Sequence, residues 1–472
     1  MRKISRLSLA ALLVTAVAGL ANAQNRDGAN KPSIGPAPSA ASVASADSTD
    51  KAAKKTTRAS LYRPFEINHS RAADQRGVNV FEAPKDDQVP FTGFALSFGG
   101  AFTQEFQGLD HQNAANAVMT GTPAVNANQL ITIGHGFNNA VANLNVNAQI
   151  APGIRIAMTS YLSARHHQES WVKDGYLLVD ASPIDNALLK EIMKYTTLRV
   201  GHFEINYGDS HFRRSDNGNS MYNPFVGNYI LDVFTTEIGA EVYARSNGLI
   251  AMLGATGGEV HGQVTAPEKR SMSVLGKLGF DESLGENLRF RLTGSFYANN
   301  KAASNTLLTG DRGGSAYYDV LENTASTETA NAWSGQIRPG FSNKVNAEVI
   351  NPFIKIGGAE FFGSFETITG GAFTEPKLRT LHQNVYEGLY RLGSGDQFYL
   401  GARYNTLKGQ LISKNYTDLT VNRYQVGGGW FVTPNVLAKL EYVNQKYLDF
   451  PTTDIRSGGQ FKGFMISGAV GF

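Results

Sequence analysis

The last twelve residues, Phe461 to Phe472, read FKGFMISGAVGF and constrain this chain more than any other stretch. Every second residue, Phe464, Ile466, Gly468, Val470 and Phe472, falls on one mostly apolar face. Gly463, Met465, Ser467, Ala469 and Gly471 fall on the other, small residues around one methionine. That is the period of a strand. In a soluble protein a terminal strand of this kind would be an apolar free edge, which invites aggregation. A transmembrane barrel removes the difficulty, because its last strand closes against its first and turns the apolar face to lipid.

The other end of the chain sets the compartment. Arg2, Lys3 and Arg6 precede an apolar run from Leu7 to Leu20, and Ala21-Asn22-Ala23 supplies a small-x-small cleavage site. Residues 1–23 therefore read as a secretory signal peptide whose apolar run is too short to span a bilayer. No later stretch is apolar over the ~18 residues that a membrane helix needs. Export, no helical span and a barrel-type last strand together predict the bacterial outer membrane, with lipid and lipopolysaccharide around the barrel. The 472 residues suffice for one large barrel, at ~10 residues per strand plus loops. The absence of Cys removes disulfides and thiolate metal sites, and a net charge of +3 is too small to imply a nucleic-acid partner.

Residues 24–60 are rich in Ala, Ser, Lys and Pro and cannot bury enough surface to fold, which predicts a disordered periplasmic tail. Residues 61–90 gain Tyr62, Phe65, Ile67, Val80 and Phe81 without a clear period. This segment either packs below the barrel or enters its lumen. From 91 to 472 alternating runs follow one another, predicting an all-β, antiparallel transmembrane β-barrel of about 16 strands. In one strand Leu144, Val146, Ala148 and Ile150 oppose Asn143, Asn145, Asn147 and Gln149, a face too polar for a core and suited to a wet lumen. The expected strands include a weak one near Trp333–Phe341 and one from Phe353 to Thr369 broken by Gly357-Gly358. Connections alternate between short, as at Thr433-Pro434-Asn435, and long, as at Asn299 to Ala332. Short turns belong to the periplasmic side and long loops to the extracellular side.

Function in a barrel lies on lumen-facing side chains and on loops folded into the pore. Assigning the apolar set to lipid places Arg155, Lys277, Arg289, Arg291, Arg391, Arg403, Arg423 and Lys439 in the lumen, with Glu204, Glu237, Glu241, Glu387 and Glu441. These charges either line a conducting path or only hydrate the lumen and pair with one another. The loop Gly208 to Ile230, third on the extracellular side, holds His211, Arg213, Arg214 and Asp216 beside Phe212, Tyr222, Phe225 and Tyr229. Its expected role is a pore constriction, with the aromatics on the inner wall and Arg213 and Arg214 projecting into the pore; the other reading is a lid or trimer contact. Asp216-Asn217-Gly218-Asn219 lacks the ligand spacing and closing Glu of a calcium loop and reads as a turn. Adjacent His166 and His167 point opposite ways on a strand, which disfavours a metal site. No GxSxG, P-loop or HExxH motif is present. The chain is therefore expected to be no enzyme and to need no metal or cofactor.

Two stretches, LRVGHFEINYG (Leu198 to Gly208) and YQVGGGWFVTPNVLAKLEYV (Tyr424 to Val443), resemble the phosphate-selective porin O/P family. The resemblance covers about 91 to 472. It implies a trimeric porin of about 16 strands, an inward-folded third loop carrying Arg213 and Arg214, an arginine-bearing lumen and small anionic, phosphate-like solutes. His202, followed by Glu204, stands where that family often has Lys after LRxG, and the long Ala/Ser/Lys tail is a further departure. The last strand also resembles the C-terminal signature of bacterial outer-membrane proteins. There the terminal Phe, here Phe472, is part of the signal read by the barrel assembly machinery. The expected function is passive diffusion of small hydrophilic, anionic solutes. The alternative is a barrel plugged from 24–90 or from Asn299 to Ala332, acting as a structural or interaction protein through its loops or tail.

Overall fold

Along the last strand the side chains divide as their alternation demands. Phe464 and Ile466 are 57% and 51% exposed, whereas Met465 and Ser467 are buried. The same division repeats around the molecule, a computed structural model that describes residues 71–82, 91, 93–166, 170–214, 216–285 and 287–472. The signal peptide, the tail and much of 61–90 lie outside the described residues, as do His167 to Glu169.

The strands are β1 (Ala95–Gln112), the short pair β2 (Met119–Thr120) and β3 (Val125–Asn126), β4 (Gly136–Ala151), β5 (Ile154–Ser163), β6 (Trp171–Val179), β7 (Thr196–Glu204), β8 (Thr236–Ser246) and β9 (Leu249–Thr256). They continue with β10 (Ser273–Leu284), β11 (Leu288–Asn299), β12 (Lys344–Ile356), β13 (Ala359–Gly371), β14 (Arg379–Leu392), β15 (Phe398–Gly409), β16 (Leu419–Thr433), β17 (Val436–Leu448) and β18 (Gln460–Gly471). All but β2 and β3 form one closed barrel of 16 strands in chain order, antiparallel throughout. β1 and β18 close it, in register from Ala101↔Gly471 to Gln112↔Gln460. Closure leaves no unpaired edge, so every strand can satisfy its backbone inside hydrocarbon. The exterior carries the large apolar residues, among them Phe98, Leu253, Leu278, Leu400 and Val426. An even-stranded antiparallel barrel with this exterior is the architecture of an outer-membrane protein. No helix among the described residues is long and apolar enough to cross a membrane.

One end of the barrel carries turns of two to five residues, with 180–195 as the exception; the other carries 113–135, 205–235, 257–272 and 300–343. In the exception, α1 (Ala187–Met193) is capped by Asn186, whose side chain accepts from Leu189 N. Two of the expected strands are corrected. Trp333–Phe341 belongs to the fifth loop, 300–343, and the run around Gly357-Gly358 is two strands, β12 and β13, joined there. Gly357 has φ +55°, as a two-residue hairpin requires. The two corrections offset each other in the strand count.

The lumen is largely filled. The third loop, 205–235, carries α2 (Ser210–Arg214) and is buried along most of its length. Ile230 and Leu231 of that loop pack with Val320, Leu321 and Ile337 of the fifth loop and with inward-facing Val345, Val421 and Val443. The segment 71–82 starts at the short-turn end, where Gln75 N donates to Pro434 O, and ends inside, with Phe81 against Phe353 and Phe362.

Candidate functional site

The third loop is held by the inward faces of β14 to β17. Val226 N and Gly227 N donate to Glu441 Oε2 at 2.7 and 3.2 Å, Ile230 N to Asn405 Oδ1 at 2.7 Å, and Leu231 N to Gln383 Oε1 at 2.9 Å. Lys439 Nζ donates to the carbonyls of Ser220, Asn223 and Phe225 at 2.9, 3.3 and 3.1 Å. Arg403 Nη1 donates to Gly227 O at 2.8 Å, and Arg423 Nη1 to Asn228 O at 2.5 Å. A wall of charged and amide groups thus satisfies the backbone of an irregular segment that would otherwise be buried unpaired.

The four loop residues singled out from sequence all lie inside the barrel, each with a partner. Arg213 donates from Nε and Nη2 to Glu387 Oε1 at 3.1 and 2.6 Å and also to Asn79 Oδ1, and its guanidinium lies over the rings of Phe353 and Phe362. Arg214 makes a two-pronged pair with Asp232, Nε to Oδ1 at 2.7 Å and Nη2 to Oδ2 at 2.9 Å. Burial alone would lower the Arg214 pKa, but Asp232 overrides it and holds the guanidinium above its ordinary value. Asp216 pairs with Lys173, accepts from Asn143 Nδ2 at 2.8 Å, and takes the backbone N–H groups of Gly218 and Asn219 at 2.8 and 3.0 Å. Burial pushes its pKa up and these partners, Lys173 foremost, pull it below the usual carboxylate range. The two backbone bonds make 216–219 a turn closed by its own aspartate. His211 Nε2 lies 3.0 Å from Asn206 Oδ1, and Nδ1 lies 3.5 Å from Glu204 Oε1.

The remaining charges from the sequence reading also face inward. Arg155 pairs with Asp180, Arg289 with Asp281 at 2.7 Å, Arg391 with Glu360 at 2.6 Å and Arg403 with Glu387 at 2.7 Å. Lys277 and Arg291 share Asp209, at 2.9 and 2.8 Å, and Glu82, at 3.0 and 2.7 Å. Arg423 donates to Gln445 Oε1 at 2.5 Å. Glu237 accepts from Tyr297 OH at 2.8 Å, and Glu241 from Asn206 N at 2.8 Å and Arg199 Nε at 3.1 Å. Phe472 ends the closing strand on the lipid face, 70% exposed.

Open space remains on the side of β4 to β8. A cavity of about 340 Å³ is lined by Asn143, Asn145 and Asn147 of β4 and by Lys173, Asp174, Arg199 and Glu204. A vestibule of about 1280 Å³ opens at the short-turn end beside Asp180, Lys194 and Asp281. Phe81, Glu82, Arg155 and Arg245 line both spaces. Toward the loop end the Lys173–Asp216 pair stands across the way, and Lys173 also lines a smaller pocket of about 60 Å³ formed with Thr236, Asp311 and Arg312. Lys173 and Asp174 are adjacent yet line the same cavity. Thr159 pairs with Asp174 and Ser160 with Val172, leaving Lys173 as the extra residue of a bulge.

Sequence reasoning missed Lys173, Asp174, Arg199, Asp209, Asp232, Glu360 and Glu82. Lys173-Asp174 carried one readable sign, two neighbouring charges in an otherwise alternating strand. Partners such as Asp232 and Glu360 carried none. Among the described residues no group of three His, Asp or Glu could hold a metal ion.

No family model matches the chain, and no curated protein matches it. Among solved structures its backbone is similar to OmpT, an outer membrane protein of Vibrio cholerae, in a trimer form, at 11% identity and TM-score 0.47 over 80% of this chain and 100% of that one. It is similar to an anion-selective porin from Comamonas acidovorans at 9% identity and TM-score 0.48, over 80% and 100%. It is likewise similar to the outer membrane channel DcaP of Acinetobacter baumannii at 9% identity and TM-score 0.47, over 80% and 98%.

Proposed function

We propose that this chain is an outer-membrane porin that lets small hydrophilic solutes diffuse along the β4–β8 side of its lumen. One observation carries the reading: the vestibule and the inner cavity adjoin at Phe81, Glu82, Arg155 and Arg245, which supports a route from the short-turn mouth toward the Lys173–Asp216 pair. The charged and amide groups on this route can replace part of a solute's hydration, which suits small hydrophilic solutes.

The favoured solutes are small anions. Arg71, Arg155, Lys173, Arg199 and Arg245 line the inner cavity with Glu82, Asp174, Glu204 and Asp216, and Arg155 and Arg199 pair with Asp180 and Glu241 behind them, so the support for anions is the number of guanidinium donors and not a net charge. In a narrow passage such groups are screened less than on an open surface. Guanidinium groups also donate paired hydrogen bonds to oxyanions. The resemblance of 198–208 and 424–443 to phosphate-selective porins points the same way, and with it go a trimeric assembly and recognition of Phe472 by the assembly machinery. Arg213 and Arg214 enter this reading as the braces of the constriction loop, because Glu387 and Asp232 balance their charge. The test is single-channel conductance and zero-current potential across a planar bilayer in a KCl gradient. A conducting, anion-preferring channel is expected. Cation preference would remove the anion reading and leave a general porin.

A second reading has its own support. Residues 71–82 and the fifth loop both occupy the lumen. A barrel stopped by these segments would act through its loops or tail, and the full-length protein would then conduct no ions in the same bilayer.

A further inference from the structure

Residues 71–82 reach into the lumen from the short-turn end. Gln75 N donates to Pro434 O in the β16–β17 turn at 2.8 Å, and Asn79 Nδ2 donates to Glu360 Oε1 at 2.6 Å. Phe81 meets Phe353 and Phe212 edge-on, with ring centroids 5.4 and 5.7 Å apart. Glu82 follows, and its carboxylate is clamped at three points. Oε1 accepts from Lys277 Nζ and from Asn206 Nδ2, each at 3.0 Å, and Oε2 lies 2.7 Å from Arg291 Nη2.

The same two cations hold a second carboxylate, Asp209 of the third loop. Asp209 is bound more completely: Arg291 donates to both its oxygens at 2.8 Å, Thr293 Oγ1 donates at 2.7 Å, and Lys277 adds a contact at 2.9 Å. Asp209 is therefore a fixed part of the wall. Glu82 is brought in by a strap that is not part of the barrel, and it borders both the vestibule and the inner cavity. A solute moving between the two spaces passes this carboxylate.

We propose that Lys277, Arg291 and Asn206 form a carboxylate-binding site that Glu82 occupies as a tethered occupant, and that a small free carboxylate exchanges with Glu82 and frees the strap 71–82 from the path. This rests on the porin reading. A tethered group acts at an effective concentration on the order of mM, so a free carboxylate competes in the same range. The chain's own carboxylate marks the chemistry the site accepts, and exchange leaves both cations paired, so no charge is buried alone.

The probe is succinate, against KCl of equal ionic strength. In planar bilayers Glu82→Gln is expected to conduct more than wild type, and succinate is expected to raise the conductance of wild type but not of Glu82→Gln. Hydrogen–deuterium exchange of wild type alone supplies a readout that no variant's folding can disturb: succinate should speed exchange in peptides covering 71–82. Current through both channels, equal and indifferent to succinate, with unchanged exchange in 71–82, overturns the inference and leaves the porin standing. No current through either channel overturns the porin reading and this inference with it.

Discussion

Gly100 and Phe472 donate a backbone hydrogen bond to each other's carbonyl, at 2.9 Å from Gly100 N and 3.0 Å from Phe472 N. The Phe472 ring covers Gly100 on the lipid face, where a Cβ on Gly100 would come within 2.9 Å of its Cζ. Deleting Phe472 removes both bonds and the cover, and Asp in its place puts a charge at the lipid-facing seam. Both changes should sharply lower the amount of heat-modifiable barrel in the outer membrane. Gly100→Val, which pushes the ring aside, should do so to a smaller degree.

The wall has two sides with opposite tolerances. Leu440 and Val426 are 53% and 58% exposed on the exterior. Arg at either should destabilise the barrel by roughly 2–4 kcal/mol if near the midplane. Asn145 borders the open cavity, so Arg there should be nearly neutral. Gln425 is inside but enclosed, donating to Glu441 Oε2 at 2.9 Å, and Arg there should cost about 1–3 kcal/mol through overpacking. Denaturant unfolding in lipid vesicles ranks the four variants.

Arg214 and Asp232 are both about 1% exposed and paired through two hydrogen bonds. Arg214→Ala strands the Asp232 carboxylate and should cost about 3–5 kcal/mol of barrel stability. Removing both charges, as Arg214→Met with Asp232→Leu, should recover most of that loss and leave the zero-current potential close to wild type. A large shift in potential with intact stability would mean that Arg214 faces the ions directly.

The fifth loop carries a titrating group in the neutral range. Burial pushes the Glu322 carboxyl up to about 7, against the hydrogen bond that Asn331 Nδ2 donates to it at 2.7 Å. A carboxyl whose pKa rises on folding stabilises the folded form below its unfolded pKa of 4.5, and that contribution is lost as pH climbs through about 7. The backbone there accepts from Ile131 N at 3.0 Å, tying the fifth loop to the first. Hydrogen exchange around 131 and 322, corrected for the intrinsic rate, should accelerate between pH 5 and pH 8, and Glu322→Gln should flatten that change.

The fold was legible where lipid imposes a face. Leu440 outward and Glu441 inward follow from alternation alone, because one side of each strand must satisfy hydrocarbon. Trp333–Phe341 misled for a related reason. Ile337 and Phe341 are buried apolar residues of a loop packed inside the barrel, and such spacing mimics a strand. Gly357-Gly358 read as a break in one strand because two glycines mark a bulge and a hairpin equally well. The inward cations were readable as a set, their partners not: Arg213 with Glu387 and Lys277 with Glu82 join residues that no local pattern connects.

The anchoring of the third loop has a consequence for the order of assembly. Val226 waits for Glu441, 215 positions later, and Ser220 for Lys439, 219 positions later. Contacts this distant form slowly, because a long stretch of chain must be ordered before they repay its entropy. Until the last strands arrive, the middle of the chain holds an irregular segment with unpaired amides, and the last strands hold cations with nothing to grip. Each half is unfinished without the other, so the protein should reach the membrane as an all-or-none event rather than strand by strand.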